Sequence, residues 1–126
     1  MKKISSVINA PNAIGPYSVA VTANGFAFLS GQIPINPTTG QLVDGGIKEQ
    51  TTQVLENLRA ILKHLGCSFS DVVKTTIFLL DLNDFTVVNG VYSDVLGDNK
   101  PARSTIQVAR LPLDAKIEIE MIVSLA

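Results

Sequence analysis

The chain has 126 residues, 46% of them apolar and 17% charged, with a formal charge of -1. That length builds one domain with its own core, here residues 1–126, and the apolar share excludes a disordered chain. Near-neutrality, with basic residues scattered singly apart from Lys2-Lys3, offers no surface that gains from counterion release on nucleic acid.

The chain opens on "MKKISSVINAPNA", two lysines before apolar residues in the manner of a secretory leader. Ser5, Ser6, Asn9 and Pro11 break the apolar run well short of an h-region, so a cytoplasmic protein is expected. No segment approaches the roughly 18 apolar residues of a membrane-spanning helix. Between Lys3 and Asp44 no side chain is charged, which implies surface buried against another subunit.

"YSVAVTANGFAFLSGQIPI" (Tyr17–Ile35) reads as two strands joined at Asn24-Gly25, the strongest short hairpin signal. "NPTTGQ" follows as a turn built on Pro37 and Gly40. From Ile47 to Leu65, Val54, Leu58, Ile61 and Leu65, joined by Leu55 and Leu62, keep the spacing of an amphipathic helix that Gly66 stops.

"DVVKTTIFLLDL" predicts a strand central to its sheet, apolar on both faces from Ile77 to Leu80. A second helix, capped by Asn83 or Asp84, presents Phe85, Val88, Val91, Tyr92 and Val95 and ends at Gly97. Strands over Arg103–Arg110 and Lys116–Leu125 close the chain. The order gives an α+β fold, one sheet with two helices packed on one face. Ile117, Ile119, Met121, Val123 and Leu125 belong under the helices. The opposite row, Lys116, Glu118, Glu120, Ile122 and Ser124, is mixed, and the uncovered side of the sheet, with few charges overall, is expected to be buried by self-association.

Candidate chemistry is sparse. One cysteine, Cys67, excludes an internal disulfide and, with one histidine, His64, leaves little for a metal. Cys67 reads as a small buried hydrophobe, His64 as a solvent-facing residue near a helix end, and Arg110 as exposed. Ser30 in "LSGQ" stands in no nucleophile elbow and has no nearby histidine. Tyr17, behind Gly15-Pro16, reads as a core or interface filler with a satisfied hydroxyl.

Arg103, Thr105 and Gln107 share one face of their strand, and Ser104, Ile106 and Val108 the other. A covered arginine needs an anion: either a glutamate of the next strand or a ligand. Glu118 and Glu120 in "KIEIE" share a face, either as a solvated edge paired with Lys116 or with one carboxylate steering a proton near Arg103. The residues alone name no reaction.

"NAPNAIGPYS", "SGQIPINPTTG", "VVKTTIFLLDLNDFTVVN" and "PARSTIQVARLPLDAKIEIE" resemble the RidA (YjgF) family of reactive-intermediate imine/enamine deaminases, from about Asn9 to Glu120. The resemblance implies a chorismate-mutase-like fold, one mixed β-sheet with two helices, in a homotrimer with sheets facing inward. It implies three intersubunit clefts, and hydrolysis of 2-iminobutanoate/2-iminopropanoate-type substrates to 2-keto acids and ammonia. Carried over by motif, Arg103 meets the substrate carboxylate and Glu118 polarises water. Tyr17 and Asn89 line the cleft, and Ser30 and Gly31 border it. No metal, organic cofactor, nucleic acid or membrane partner is expected. Thr105 stands where many members have cysteine, which excludes a thiol there but leaves a hydroxyl for the substrate. Val19 replaces a common glutamine, which should change cleft polarity, and Gln107 a frequent glutamate, which removes one charge from the inner face. The same cleft could instead hold a keto acid or amino acid as a signal, and a ribonuclease label is also attached to the family.

Overall fold

Asn24 and Gly25 take φ of 53° and 81°. These are the two left-handed residues of a tight hairpin turn, joining β2 (Ala20–Ala23) to β3 (Phe26–Gln32) as the sequence predicts. The computed structural model describes residues 1–125. Four more strands, β1 (Lys2–Ile4), β4 (Val72–Leu79), β5 (Ala102–Gln107) and β6 (Ile117–Ser124), complete one sheet ordered β1-β2-β3-β6-β4-β5. Only β4 and β5 run parallel, so the sheet is mixed.

Helix α1 (Ile47–His64) links β3 to β4, and α2 (Phe85–Leu96) links β4 to β5. Both crossovers advance in the same direction across the sheet, so one handedness puts both helices on one face. There they pack against each other.

Val54, Leu55, Leu58, Ile61 and Leu62 of α1 are at most 1% exposed. Each such side chain contributes roughly 1.5–3 kcal/mol on leaving water. The helix stops where Gly66 takes φ 73°; its N–H donates to Lys63 O at 3.0 Å and the Cys67 N–H to Leu62 O at 2.8 Å. Beneath the helices lie Ile117, Ile119, Met121 and Val123, the predicted row, with Leu125 partly covered.

Several expectations are corrected. Strand β1 went unforeseen, because three residues carry too little alternation to signal a strand. The leader-like start is an edge strand whose exposed lysines discourage further pairing. The strand expected to reach Arg110 ends at Gln107: Val108 N–H donates to Leu79 O at 2.9 Å, and the chain then leaves the sheet. In α2 the buried stripe is Val88, Tyr92 and Leu96, while Phe85 stays exposed. Asp84 stands at the N-cap of α2 as expected but its side chain makes no capping bond; the carboxylate of Asp81 instead caps the preceding turn Leu82–Asp84, accepting the Asn83 N–H at 2.9 Å. Cys67 is only half-buried at the core's margin. Strand β6 lies between β3 and β4, so Glu118 and Glu120 do not stand on a sheet edge.

Two buried amides of α1 hold the end of β3 and the start of β6 in place. Ile33, Ile35, Leu111 and Ala115 form a small second core beyond the end of β3. Wholly buried Asn57 ties it down, its Nδ2 donating to Ile35 O at 2.9 Å and Ile33 O at 3.4 Å. Gln50, also buried, accepts the Lys116 N–H at 2.8 Å and fixes the entry to β6. The helix-free face of the sheet carries Phe26, Phe28 and Ile106, each more than 40% exposed, beside half-covered Phe78 and Ile122.

Candidate functional site

Strand β3 bulges at Ser30-Gly31. Leu29 pairs with Met121 and Gln32 with Ile119, so two residues of β3 oppose Glu120 alone. The Ser30 hydroxyl donates to Ser18 O at 2.6 Å, and its N–H to Val19 O at 3.0 Å, which locks the bulge to the incoming strand. Gly31 leaves room for the Glu118 carboxylate, which a Cβ there would overlap. Tyr17 is 47% exposed, so it is not a core residue, and its hydroxyl accepts the Ile14 N–H at 3.2 Å.

Around these groups lies a cavity of about 320 Å³, with Ile14, Tyr17, Ile33 and Pro112 as its walls and Ser30, Gly31 and Glu118 as its floor. Glu118 is half-buried on the helix-free face. Burial pushes its carboxyl above the ordinary range, and the neighbouring Glu120 carboxylate pushes it the same way. Val19 is not in this cavity; it is 1% exposed in the main core, with an edge on the crevice beneath. It therefore changes the polarity of the packing behind the site rather than of the site itself.

A second cavity, of about 300 Å³, opens between α2 and β5, where Asn89 and Arg103 face each other. The Arg103 guanidinium carbon stands 5.0 Å from the centre of the Tyr92 ring and 5.4 Å from that of Phe85. Two aromatic faces thus hold the cation without neutralising it. Tyr92 is braced in turn by a 2.9 Å hydroxyl contact with Thr75. Burial raises the Tyr92 phenol above its ordinary value, while the Thr75 bond and the Arg103 charge pull the other way.

Among the described residues no carboxylate pairs with Arg103. The ion pairs among the described residues are Arg59–Glu56 and Arg110–Asp114, both exposed. Two residues on, the buried Thr105 Oγ1 has no hydrogen-bond partner. Gln107 points to neither cavity; its side-chain oxygen accepts the Leu82 N–H at 2.9 Å.

Register separates the two cavities. Thr75 pairs with both Arg103 and Met121, on the helix-covered side, whereas Phe78 pairs with Glu118 on the other. Tyr17, Ser30, Gly31 and Glu118 are brought together within one chain, and so are Asn89 and Arg103, whereas Thr105, expected beside Arg103, lines neither cavity because its hydroxyl is buried. The two groups lie on opposite faces of the sheet, which rules out a same-chain Arg103–Glu118 salt bridge. The Phe85–Tyr92 platform went unread in the sequence, although its i, i+7 spacing placed both rings on one helical face. His64 is exposed, as expected, and lines neither cavity.

A family model described as Endoribonuclease L-PSP matches residues 7–125. A RutC family protein of Pyrococcus horikoshii is 53% identical over 122 residues, 97% of each chain. The human 2-iminobutanoate/2-iminopropanoate deaminase is 48% identical over 122 residues, 97% of this chain and 89% of that one. Among solved structures, E. coli TdcF with bound serine superposes with a TM-score of 0.93 at 43% identity, covering 99% of this chain and all of that one.

Proposed function

The chain belongs to the RidA (YjgF) family, and on that premise we propose that it hydrolyses 2-imino acids and their enamine tautomers to 2-keto acids and ammonia. The reading rests on one observation: Arg103 is held on two aromatic faces at a cavity where no carboxylate among the described residues neutralises it. A planar guanidinium in that state suits the carboxylate of a small acid.

In the proposed enzyme, three copies turn their helix-free sheet faces inward. Each Glu118 cavity then meets the Arg103 cavity of a neighbour. The exposed Phe26, Phe28 and Ile106 support this, as does the charge-free stretch from Ile4 to Val43. Arg103 orients the substrate carboxylate beside Asn89. Glu118 of the neighbouring copy takes a proton from water as its oxygen attacks the imine carbon. The proton passes to nitrogen to give a carbinolamine; its hydroxyl proton then follows to nitrogen through the same carboxylate as the carbon–nitrogen bond breaks, and ammonia leaves a carbonyl behind. Tyr17, Ser30 and Gly31 shape the space around the reacting carbon. The imine is already electrophilic, so positioning and proton transfer suffice.

The test generates 2-iminobutanoate in place with a threonine dehydratase and follows ammonia release above the spontaneous rate. Wild type accelerates it, and Arg103→Ala and Glu118→Gln lose most of the acceleration. A fully active Arg103→Ala would refute the mechanism. A second reading, retention of a small amino or keto acid without turnover, draws on the serine bound to TdcF; Arg103-dependent binding with no ammonia above background would favour it. A ribonuclease finds little support in a chain of charge -1 whose single histidine lies outside both cavities.

A further inference from the structure

Arg103 is not the only cation at its cavity. Lys100 lines the same space, and neither residue belongs to an ion pair among the described residues. Asp94 and Asp98, the nearest acids along the chain, are exposed and outside the lining. The segment carrying Lys100 is anchored on both sides. Asn99 Nδ2 donates to Phe69 O at 2.6 Å and to Val72 O at 3.3 Å, and Pro101 stiffens the entry to β5. Along the helical wall, Asn89 and Ser93 occupy successive turns of α2, and Gly97 caps its C-terminal end. The groove therefore leads from the aromatic platform under Arg103 toward the helix end beside Lys100.

Two uncompensated positive charges at one cavity repel each other, and a ligand meeting both relieves that repulsion. We propose that this groove selects 2-imino acids carrying a second carboxylate on the side chain. Arg103 takes the first carboxylate, and Lys100 takes the second with help from the Ser93 hydroxyl. The inference rests on the reading of Arg103 as a carboxylate anchor and adds the substrate class.

The corresponding 2-oxo acids serve as stable probes. Calorimetric titration of the assembled protein compares 2-oxoglutarate, a dianion, with 2-oxohexanoate, a monoanion, at low ionic strength. Because Lys100 is exposed, the dianion is expected to bind only about three- to fivefold more tightly. The advantage should shrink as salt is added, disappear in Lys100→Met and survive in Lys100→Arg. Equal affinities in wild type, or an advantage that persists in Lys100→Met, would overturn the assignment. Binding of 2-oxohexanoate that depends on Arg103 but shows no dianion preference removes only Lys100. Binding of neither acid removes the carboxylate anchor as well.

Discussion

Gly31 and Glu118 share one space: a Cβ on Gly31 would stand 2.8 Å from Glu118 Cδ and 3.0 Å from its Cγ. Gly31 does not adopt a left-handed backbone, so what glycine supplies here is room. Gly31→Ala should fold, because the clash falls on the end of a flexible side chain. It should lose at least about tenfold in turnover, because the carboxylate must swing away from the position it now holds. Thermal melting beside the imine assay checks both halves. Wild-type turnover in Gly31→Ala would show that this tucked carboxylate is not what the reaction uses.

Losing Arg103 should leave fold and assembly intact. A charge-assisted hydrogen bond contributes ~1.5–3 kcal/mol, so Arg103→Ala should lose at least about 10- to 100-fold in kcat/KM. Arg103→Lys restores the charge without the planar fork and should recover only part of the loss. Full recovery would mean that charge alone anchors the substrate.

The raised carboxyl of Glu118 gives stability a signed pH dependence. Between its ordinary value near 4.5 and its higher folded value, the native chain binds more protons than the unfolded one. Stability from this group is therefore present in acid and lost as pH rises through that window. Glu118→Gln, which cannot ionise, should gain stability over wild type at neutral pH and lose that gain below pH 4.5. Melting temperatures across pH decide the matter, and a gain that does not shrink in acid rules out ionisation as its cause.

Phe28 sits 45% exposed opposite Ile122 on the helix-free face. Phe28→Glu puts a charge into the middle of the proposed interface. Sedimentation should show single chains, circular dichroism an intact fold, and the assay no acceleration. An assembled and active Phe28→Glu would mean that this face is not where copies meet.

Much of this architecture was legible because the signals were local. The Asn24-Gly25 turn, the stripe of α1, the Gly66 stop and the apolar row of β6 each follow from a few adjacent residues. Strand β1 was missed because Lys2–Ile4 acquires meaning only when β2 is beside it. For the site, residue types and motif resemblance marked out both groups. Their division between faces depends on register, and register follows from pairings across the whole sheet: Thr75 with Arg103, Phe78 with Glu118. The second-core clamp was equally hidden, since Gln50 and Asn57 look like surface residues of an amphipathic helix until their distant backbone partners are in place.

Opposite faces also mean that a defect in either half can be rescued by a different chain. In the proposed trimer, mixing Arg103→Ala chains with Glu118→Gln chains would join an undamaged guanidinium side to an undamaged carboxylate side at one junction of every hybrid ring. Random shuffling of two dead variants in equal amounts should therefore revive about a quarter of wild-type turnover. In that proposed ring each chain lends one half to each of two sites, so inheritance acts on the assembly rather than on the single polypeptide.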